Sequence, residues 1–337
     1  MKCIICEKPN EFSMKEAEKP IPQVGEVLVK IKRVGICGTD LHAYQGNQPY
    51  FTYPRILGHE LSGVIEGLGD GVVGWKQGDQ VTIIPYMECG ECVACTNGKP
   101  NCCTNINVVG VHKEGGMCEY LTVPADHLMK TEGLSLDESA LIEPFSIGEH
   151  AVRRANVKAG EWVLVVGAGP IGLGVMASVK QKGAKVIAMD VNHKRLQFSC
   201  EWGNVDGIIN SLNDPLQHLS DLTEGDFPTI VFDATGNHHS MNQSFNYVAH
   251  GGKIVFVGLT KEKVTFSDPI FHAKEITLMA SRNATRVDFE QVIHNLHSGQ
   301  ISIEGYLSHR CKFDQLISQF NHWLLPESNV IKAIVEF

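Results

Sequence analysis

One glycine-rich segment restricts the fold of this chain more than any other feature of its sequence. Residues 167–172 read GAGPIG; they follow the apolar run Trp162–Val166 and precede a helix-like stretch that reaches Lys182. A second apolar run, Lys185–Asp190, comes next. Strand, glycine turn, helix and strand in this order begin a parallel βαβ unit, and runs that are apolar throughout are typical of strands buried on both faces. The segment therefore predicts a doubly wound parallel sheet in the second half of the chain.

The remaining pattern predicts two domains and an α/β fold. Further apolar runs at 229–233, 253–257 and 276–280 are mostly separated by helix-like segments, as in a doubly wound sheet. The first half has short β-like runs broken by glycine and proline, for example at 27–31 and 63–66. From about residue 288 the chain becomes helical, and residues 332–337 look like one more strand that returns to the first domain. We predict a β-rich domain from residues 1–147 with 291–337, and a parallel-sheet domain from residues 148–290.

The glycine segment also predicts a dinucleotide site. Glycines there permit a tight turn and close approach of a pyrophosphate, which amide groups at the helix N-terminus can bind; the predicted contacts are Gly167, Gly169, Pro170, Ile171 and Gly172. Asp190 lies 18 residues after Gly172, where a carboxylate accepts hydrogen bonds from ribose hydroxyls and repels a 2′-phosphate, so NAD is favoured over NADP. Against this, Lys194 and Arg195 lie close enough to accept such a phosphate. A similar fold that binds S-adenosylmethionine is the alternative.

Four cysteines within fifteen residues indicate a metal site. Cys89, Cys92, Cys95 and Cys103 have the spacing C-x2-C-x2-C-x7-C. Thiolates two residues apart can converge on one cation, and four of them complete a tetrahedral shell around zinc, so the site would be structural. Cys102 competes with Cys103 for the fourth place. Free thiols and the zinc ribbon of a nucleic-acid binder are the alternatives.

The composition disfavours several classes of protein. The formal net charge of −9 is wrong for a nucleic-acid binder, and no apolar run approaches the roughly 20 residues of a membrane span. No signal segment is evident at the N-terminus. We therefore expect a cytoplasmic protein that binds neither nucleic acid nor membranes. The odd count of 11 cysteines argues against a disulfide framework, and we expect those outside the predicted metal sites to be small buried residues, namely Cys3, Cys6, Cys118, Cys200 and Cys311.

A second, more scattered set of residues suggests an open metal site. Cys37 lies in GICGTDLH (residues 35–42), His59 and Glu60 lie in GHE (58–60), and Glu143 lies in IEPF (142–145). One thiolate, one imidazole and carboxylates form a zinc set with room for water or substrate. Taken singly, each residue is a weak signal, since a single histidine or cysteine is more often structural.

Together these motifs resemble those of the zinc-containing medium-chain dehydrogenases. The element at 35–42 is similar to that family's G-x-C-x-[ST]-D-x-H, and GHE and the four-cysteine lobe follow as they do in the family. Glu143-Pro144 resembles the branch of sorbitol, threonine and sugar-acid dehydrogenases, and the Glu143–Phe145 and 281–283 segments look nearest to the starvation-sensing type and to L-galactonate 5-dehydrogenases. The resemblance covers nearly the whole chain and implies a GroES-like catalytic domain beside a Rossmann domain.

The resemblance also implies roles for individual residues. Cys37 and His59 would be ligands of a catalytic zinc, and either Glu60 or Glu143 would complete its shell. Thr39 would pass the proton of the substrate hydroxyl towards the cofactor ribose and His42, and thus to solvent. Arg195 would lie beside the adenosine. Each chain would hold two Zn²⁺ ions, one catalytic and one structural, together with NAD.

The ends of later strands predict the remaining contacts. Ligands of doubly wound sheets gather at the carboxyl ends of the strands, so Thr235, Val257, Leu259 and Ser281 are expected near the nicotinamide. Ordinary turns are the alternative for the 234–236 and 257–259 segments. Arg282 would bind a substrate carboxylate through two hydrogen bonds; a surface salt bridge is the alternative.

The predicted function is oxidation of a secondary hydroxyl of a polyol or sugar acid, such as L-galactonate, with hydride transfer to NAD. L-threonine 3-dehydrogenase and a sorbitol-type polyol dehydrogenase are the alternatives among enzymes. Outside the enzymes, a regulatory protein that binds NAD and zinc without turnover is the other candidate, and it would have no use for Thr39 and His42. By the resemblance, a homodimer or homotetramer is expected.

Overall fold

The computed structural model describes residues 1–48 and 51–337. Within them the chain divides into two compact units, the first formed by Met1–Pro144 with Thr285–Phe337 and the second by Phe145–Ala284. The sequence analysis placed these boundaries at residues 147 and 291. The first boundary falls inside a helix, where the sequence pattern does not change.

The strands, numbered in chain order, have the following bounds: β1 (Lys2–Lys8), β2 (Glu11–Glu16), β3 (Glu26–Ile36), β4 (Arg55–Ile56), β5 (Glu60–Leu68), β6 (Gln80–Ile83), β7 (Tyr86–Met87), β8 (Asn107–Val108), β9 (Tyr120–Pro124), β10 (Leu128–Lys130), β11 (Trp162–Val166), β12 (Lys185–Asp190), β13 (Gly207–Asn210), β14 (Ile230–Asp233), β15 (Lys253–Phe256), β16 (Thr277–Ala280), β17 (Leu307–Lys312) and β18 (Lys332–Glu336).

The α-helices, numbered in the same way, have the following bounds: α1 (Gly38–Tyr44), α2 (Val93–Thr96), α3 (Leu136–Ala155), α4 (Pro170–Gln181), α5 (His193–Gly203), α6 (Pro215–Leu222), α7 (His238–Tyr247), α8 (Asp268–Ala273), α9 (Arg286–His297) and α10 (Leu316–Trp323). In the described part of the chain, no helix combines the length and the apolar character needed to cross a bilayer.

The first unit is built on a largely antiparallel sheet in the order β10-β6-β5-β3-β18-β17, with β9 also paired to β3. The C-terminal strand β18 lies between β3 and the edge strand β17, antiparallel to β3 and parallel to β17. Its apolar side chains are buried with those of β3 and β5 in one core. The prediction that the tail forms a strand of the first domain is therefore confirmed, and the tail brings Lys332 into the interior.

The second unit contains a six-stranded parallel sheet in the order β13-β12-β11-β14-β15-β16. This is the strand order of the dinucleotide-binding doubly wound fold, with its crevice at the carboxyl ends of the strands. Four of the five residues of β11 are buried, as expected for a central strand covered on both faces. The predicted α/β fold, a Rossmann sheet plus a β-rich domain, is confirmed.

Three details of the sequence analysis need correction or addition. Strands β13 and β17 were not predicted, because GIIN is short and begins with glycine, and LSHRCK is an edge strand with mostly polar residues. Cys3, Cys6, Cys118 and Cys311 are buried as expected, but Cys200 is exposed, so its prediction was wrong. It lies on α5, where position 200 borders the buried face formed by Leu196, Ser199 and Gly203 but is itself exposed.

Candidate active site and metal centres

The four-cysteine lobe brings its sulfur atoms together as its spacing predicted. The Sγ atoms of Cys89, Cys92, Cys95 and Cys103 all lie within 4.8 Å of one another. Cys92 and Cys95 are 3.5 Å apart, and Cys89 and Cys103 are 3.4 Å apart. Sulfurs of a tetrahedral site with Zn–S bonds of about 2.3 Å stand about 3.8 Å apart, so this donor set fits zinc. The competitor Cys102 is exposed and lies outside the group.

The local backbone favours thiolates in this lobe. Amide groups of Cys95 and Thr104 donate to the sulfur of Cys92 and lower its pKa to about 5, and amides of Glu91 and Cys92 lower the pKa of Cys89. Loss of solvation, together with the neighbouring thiol of Cys92, raises the pKa of Cys95 to about 12. Some thiols of the cluster therefore ionise readily, whereas Cys95 resists a further negative charge. A bound cation would compensate the charge of all four thiolates, so the cluster suits a metal ion.

A second group of donors forms at the ends of two paired strands. Cys37 follows β3 and is the N-cap residue of α1, while His59 and Glu60 stand at the start of β5. Since Gly35 of β3 pairs with Glu60 of β5, the ends of the two strands bring these side chains together. One donor atom from each of Cys37, His59 and Glu60 lies within 4.8 Å of the others. Three donors of these types leave a coordination position open, which fits a catalytic zinc.

Asp40 supports this group from behind, a role that the sequence analysis missed. Its Oδ2 accepts from the amide of Cys37 at 2.9 Å, and its Oδ1 accepts from the amide of Gly58 at 3.1 Å. The Nδ1 atom of His59 faces Oδ1 at 3.7 Å and has no hydrogen-bond partner in the described structure. At 3.7 Å this contact is a charge interaction and not a hydrogen bond, so Asp40 supports the group through the amides of Cys37 and Gly58 and through its charge.

Burial and charge act in opposite directions on this pair. Burial raises the pKa of the Asp40 carboxyl group, although His59 and the two amides oppose the rise. Burial lowers the pKa of His59, but the charges of Asp40 and Cys37 outweigh burial, so this pKa lies well above its ordinary value. In the absence of a cation, the surrounding negative charges therefore favour the protonated form of His59.

Glu60 is held by a buried lysine that the sequence analysis also missed. Nζ of Lys332 donates to Oε1 and Oε2 of Glu60 at 2.6 and 2.9 Å, and to the carbonyl oxygen of Ile36 at 3.2 Å. A Cβ at Gly35 would lie 2.1 Å from Oε2 of Glu60, so only glycine leaves room for this carboxylate. Burial opposes the charge on Lys332, but the attraction of Glu60 outweighs it and raises the pKa of the lysine.

The other candidate glutamate lies outside the three-residue group. Glu143 is on α3, is buried, and its Oε1 accepts from the hydroxyl of Tyr86. Burial, together with the charge of Glu60, raises its pKa to about 7, although His59 opposes the rise. Burial and the charge of Glu143 also raise the pKa of Tyr86 well above its usual value, so the phenol keeps its proton and donates.

The two residues of the expected proton relay lie on α1, directly after Cys37. Thr39 is half-buried and His42 is exposed. Residues three apart share one face of a helix. One face of α1 thus carries both residues and runs from the half-buried Thr39 to the exposed His42.

The glycine segment forms the predicted turn. Gly167 has φ +97°, and a Cβ at Gly172 would lie 1.7 Å from the carbonyl oxygen of Gly167, so neither position tolerates a larger residue. Pro170 begins α4 directly after the N-cap Gly169, followed by Ile171. Asp190 ends β12 and accepts from the amides of Ala168 at 2.7 Å and Asn192 at 2.8 Å, which fixes the turn to the neighbouring strand.

The other expected cofactor contacts follow strands of the same sheet at their carboxyl ends. Thr235 follows β14 and is held there by Asp233, which accepts from its amide at 2.9 Å and its hydroxyl at 2.6 Å. Val257 and Leu259 follow β15, and Ser281 and Arg282 follow β16. The hydroxyl oxygen of Ser281 is buried without a hydrogen-bond partner among the described residues. Arg195 lies on α5, with a guanidinium nitrogen 3.8 Å from where a Cβ of Gly169 would be.

Two apolar side chains at this sheet edge were missed. Val191 follows β12 and Leu212 comes two residues after β13, and both are largely exposed. Exposed apolar residues at the carboxyl ends of neighbouring strands suit a flat ring such as adenine. Because 21 residues separate Val191 from Leu212, the sequence alone does not show that they follow neighbouring strands.

Comparisons with known proteins agree with this geometry. Residues 23–133 match the alcohol dehydrogenase GroES-like domain, and residues 170–298 match the zinc-binding dehydrogenase domain. L-galactonate-5-dehydrogenase of Escherichia coli K12 is 46% identical over 337 residues, which cover 100% of this chain and 99% of the relative. The chain belongs to the zinc-dependent alcohol dehydrogenase family. The predicted family and the predicted zinc-dependent enzyme class are therefore confirmed for this dehydrogenase.

Two further proteins are similar to this dehydrogenase over nearly their whole length. An alcohol dehydrogenase of Escherichia coli CFT073, whose crystal structure contains NADH, has a TM-score of 0.94 and 34% identity, with 100% of this chain and 99% of that chain covered. L-threonine 3-dehydrogenase of Bacillus licheniformis is 32% identical, with 95% of this chain and 94% of the relative covered.

Proposed function

We propose that this dehydrogenase oxidises a secondary hydroxyl group of a sugar acid, with L-galactonate as the first candidate, and transfers the hydride to NAD. The observation that carries the proposal is the 46% identity to an L-galactonate-5-dehydrogenase over the whole chain. The open donor group of Cys37, His59 and Glu60 supports it, because such a site can bind a substrate oxygen directly.

The residues fit two zinc ions with different tasks. Cys37, His59 and Glu60 would hold the catalytic zinc, with Glu143 beside them, and the four cysteines of the lobe would hold the structural zinc. When bound in the open site, zinc acts as a Lewis acid on the substrate oxygen. Two charged side chains support the donors: Asp40 faces the ring of His59, and Lys332 balances the charge of Glu60.

Thr39 and His42 would remove the proton. A hydroxyl both accepts and donates, so Thr39 can take the substrate's proton as it passes its own on. His42 is exposed, and an imidazole accepts a proton near neutral pH and exchanges it with water. A protein that only senses NAD needs neither residue, so the pair favours an enzyme over a regulatory protein.

The second unit would bind NAD. Gly167, Gly169, Pro170, Ile171 and Gly172 would line the pyrophosphate, and Asp190 would accept from the adenosine ribose while Arg195 lies beside the adenosine. Thr235, Val257, Leu259 and Ser281 would line the nicotinamide, where the unpartnered hydroxyl of Ser281 offers a hydrogen bond. The first unit would be the catalytic domain.

The test is the formation of NADH by the purified zinc-loaded protein across a panel of aldonates, polyols and L-threonine. We expect L-galactonate to give the highest kcat/KM, and Arg282→Ala to raise KM for acids more than for neutral polyols, because Arg282 would bind the carboxylate. If no member of the panel reduces NAD and chelation changes nothing, the proposal fails.

L-threonine oxidation is the second candidate, because a threonine 3-dehydrogenase is 32% identical over nearly the whole chain. Threonine also carries a carboxylate, so Arg282 does not separate the two. The panel does: a kcat/KM for L-threonine above that for every aldonate would replace the first candidate, and a preference for sorbitol would indicate a polyol dehydrogenase.

We also propose a homodimer formed through the edge of the parallel sheet and a cytoplasmic location. Strand β16 is the last in the sheet order, and Leu278 on it is exposed; an unprotected edge of this kind can pair with a second copy. None of the eleven cysteines, all of which lie in the described residues, forms a disulfide, which suits a reducing compartment. Light scattering distinguishes a monomer, a homodimer and a homotetramer.

A further inference from the structure

One hydrogen bond links the open metal site to the four-cysteine lobe. The hydroxyl of Tyr86 donates to Oε1 of Glu143, 57 residues away in the chain. Tyr86 is 4% exposed and Glu143 is 3% exposed, so water is excluded from the bond. A buried carboxyl group that loses such a donor must find another partner or turn away.

Tyr86 is held in place by the base of the lobe. It pairs with Val108, so the short strands β7 and β8 join the chain just before Cys89 to the chain just after Cys103. The amide of Cys89 donates to the sulfur of Cys103 at 3.3 Å, which closes the same loop within the lobe. The ring of Tyr86 also packs edge-on against Phe289, at 6.4 Å between centroids. The hydroxyl is therefore fixed by the loop whose ends the four cysteines hold together.

The carboxyl group of Glu143 interacts electrostatically with two donors of the open site. The charges of His59 and Glu60 both act on its carboxyl group. Glu60 is held by Lys332 and cannot move to replace Glu143 without breaking a buried ion pair. The orientation of Glu143 thus depends on Tyr86.

We propose that Tyr86 is a positioning residue of the open metal site: its hydroxyl fixes the carboxyl group of Glu143 beside Cys37, His59 and Glu60, and the four-cysteine lobe fixes Tyr86. The lobe then does more than stabilise a loop, because its integrity sets the metal affinity of the open site. This inference rests on the proposed function only in taking the open site to hold zinc.

The test compares Tyr86→Phe with Tyr44→Phe in the zinc-loaded protein. Tyr44 is equally buried, at 4%, and its hydroxyl donates at 3.0 Å to the carbonyl oxygen of Asn10 instead of a site carboxyl group. Zinc affinity of each site is measured by competition with a chelator, and cobalt(II) placed in the open site reports its ligand geometry through the visible spectrum. We expect Tyr86→Phe to change the cobalt spectrum and to weaken the open site by about 10- to 100-fold, which is the usual range when a residue that supports a metal site is lost. Tyr44→Phe should change neither.

Two further variants test the link between the lobe and the open site if Tyr86→Phe is unstable. Glu143→Gln keeps an acceptor for Tyr86 but removes the charge, and adding Tyr86→Phe to Glu143→Gln should cost less metal affinity than Tyr86→Phe alone, since coupled residues are not additive. Cys92→Ser should weaken the open site in the same direction as Tyr86→Phe. Unchanged affinity and spectrum in Tyr86→Phe, full additivity in the pair, or an unaffected open site in Cys92→Ser would each overturn the inference. Because these readouts need no substrate, they stand apart from a failure of the substrate panel.

Discussion

Nζ of Lys332 lies 2.6 Å from Oε1 of Glu60, and both side chains are buried, although 272 residues separate them in the chain. The contact exists because β18 returns to the first unit and pairs with β3, next to β5 on which Glu60 lies. The carboxylate of Glu60 lies beside two other metal donors, Cys37 and His59. The positive charge of Lys332 balances the negative charge of this carboxylate. The C-terminal strand is thus part of the open site.

Replacing Lys332 with methionine should lower the free energy of unfolding by about 3–5 kcal/mol, because it leaves a buried carboxylate without a partner. Urea denaturation measures this. Lys312→Met is the matched control: Lys312 pairs with Glu336, but its side chain is 72% exposed, and an exposed pair contributes about 0–1 kcal/mol. Equal losses in the two variants would show that the Lys332–Glu60 pair has no special weight.

Asp137 should make stability depend on pH in the acid range. It pairs with Arg33 and Arg310 at 2.7 Å each. Burial raises its pKa, but the two guanidinium groups outweigh burial and hold the pKa below its usual value. A lowered carboxyl pKa stabilises the fold above the unfolded-state pKa of about 3.9, and this stability disappears as the pH falls through the folded-state pKa.

Asp137→Asn should therefore reduce the free energy of unfolding by about 1–3 kcal/mol at neutral pH. The difference from the unmodified protein should shrink below about pH 4. Urea denaturation at a series of pH values measures it, and a difference that stays constant down to the acid range would contradict the assigned role.

Asp190→Asn tests the choice of cofactor. Asparagine removes the charge that repels a 2′-phosphate and keeps one acceptor oxygen, so it can accept from the amide group of Ala168 or of Asn192 but not from both. We expect the ratio of kcat/KM for NADP to that for NAD to rise at least about tenfold, equivalent to ~1.4 kcal/mol. Steady-state kinetics with both cofactors give the ratio. No change would mean that Lys194 or Arg195, and not Asp190, decides between the cofactors.

The proton relay is tested by variants of Thr39 and His42. Thr39→Val removes the hydroxyl and should lower kcat by about 100-fold or more, whereas Thr39→Ser keeps the hydroxyl and should retain most of the activity. His42→Ala should lower kcat most at low pH, where buffer species accept protons poorly, and imidazole added to the solution should restore part of it. Equal activity of the valine and serine variants would remove Thr39 from the mechanism.

The sequence predicted those parts of the molecule that depend on neighbouring residues. The turn at 167–172 and the four-cysteine lobe are local, so their spacing was sufficient. Tyr86 and Lys332 were missed because their roles arise from contacts between distant elements, and Lys332 in particular reads as an ordinary charged residue at the start of a strand. Asp40 caps α1 locally, but its contacts with Gly58 and His59 also join separate elements. Glu60 and Glu143 could not be separated by sequence, since only the partners Lys332 and Tyr86 distinguish their positions.

We propose that the open donor group carries the chemistry and that the four-cysteine lobe does not take part in it directly. The most direct test is the rate of NADH formation from L-galactonate per folded molecule in excess zinc, for His59→Ala and Cys92→Ala. We predict that His59→Ala abolishes turnover while its unfolding transition stays close to that of the unmodified protein, and that Cys92→Ala unfolds more easily but its folded fraction still turns over. Turnover by His59→Ala, or the same loss of fold in both variants, would contradict the account.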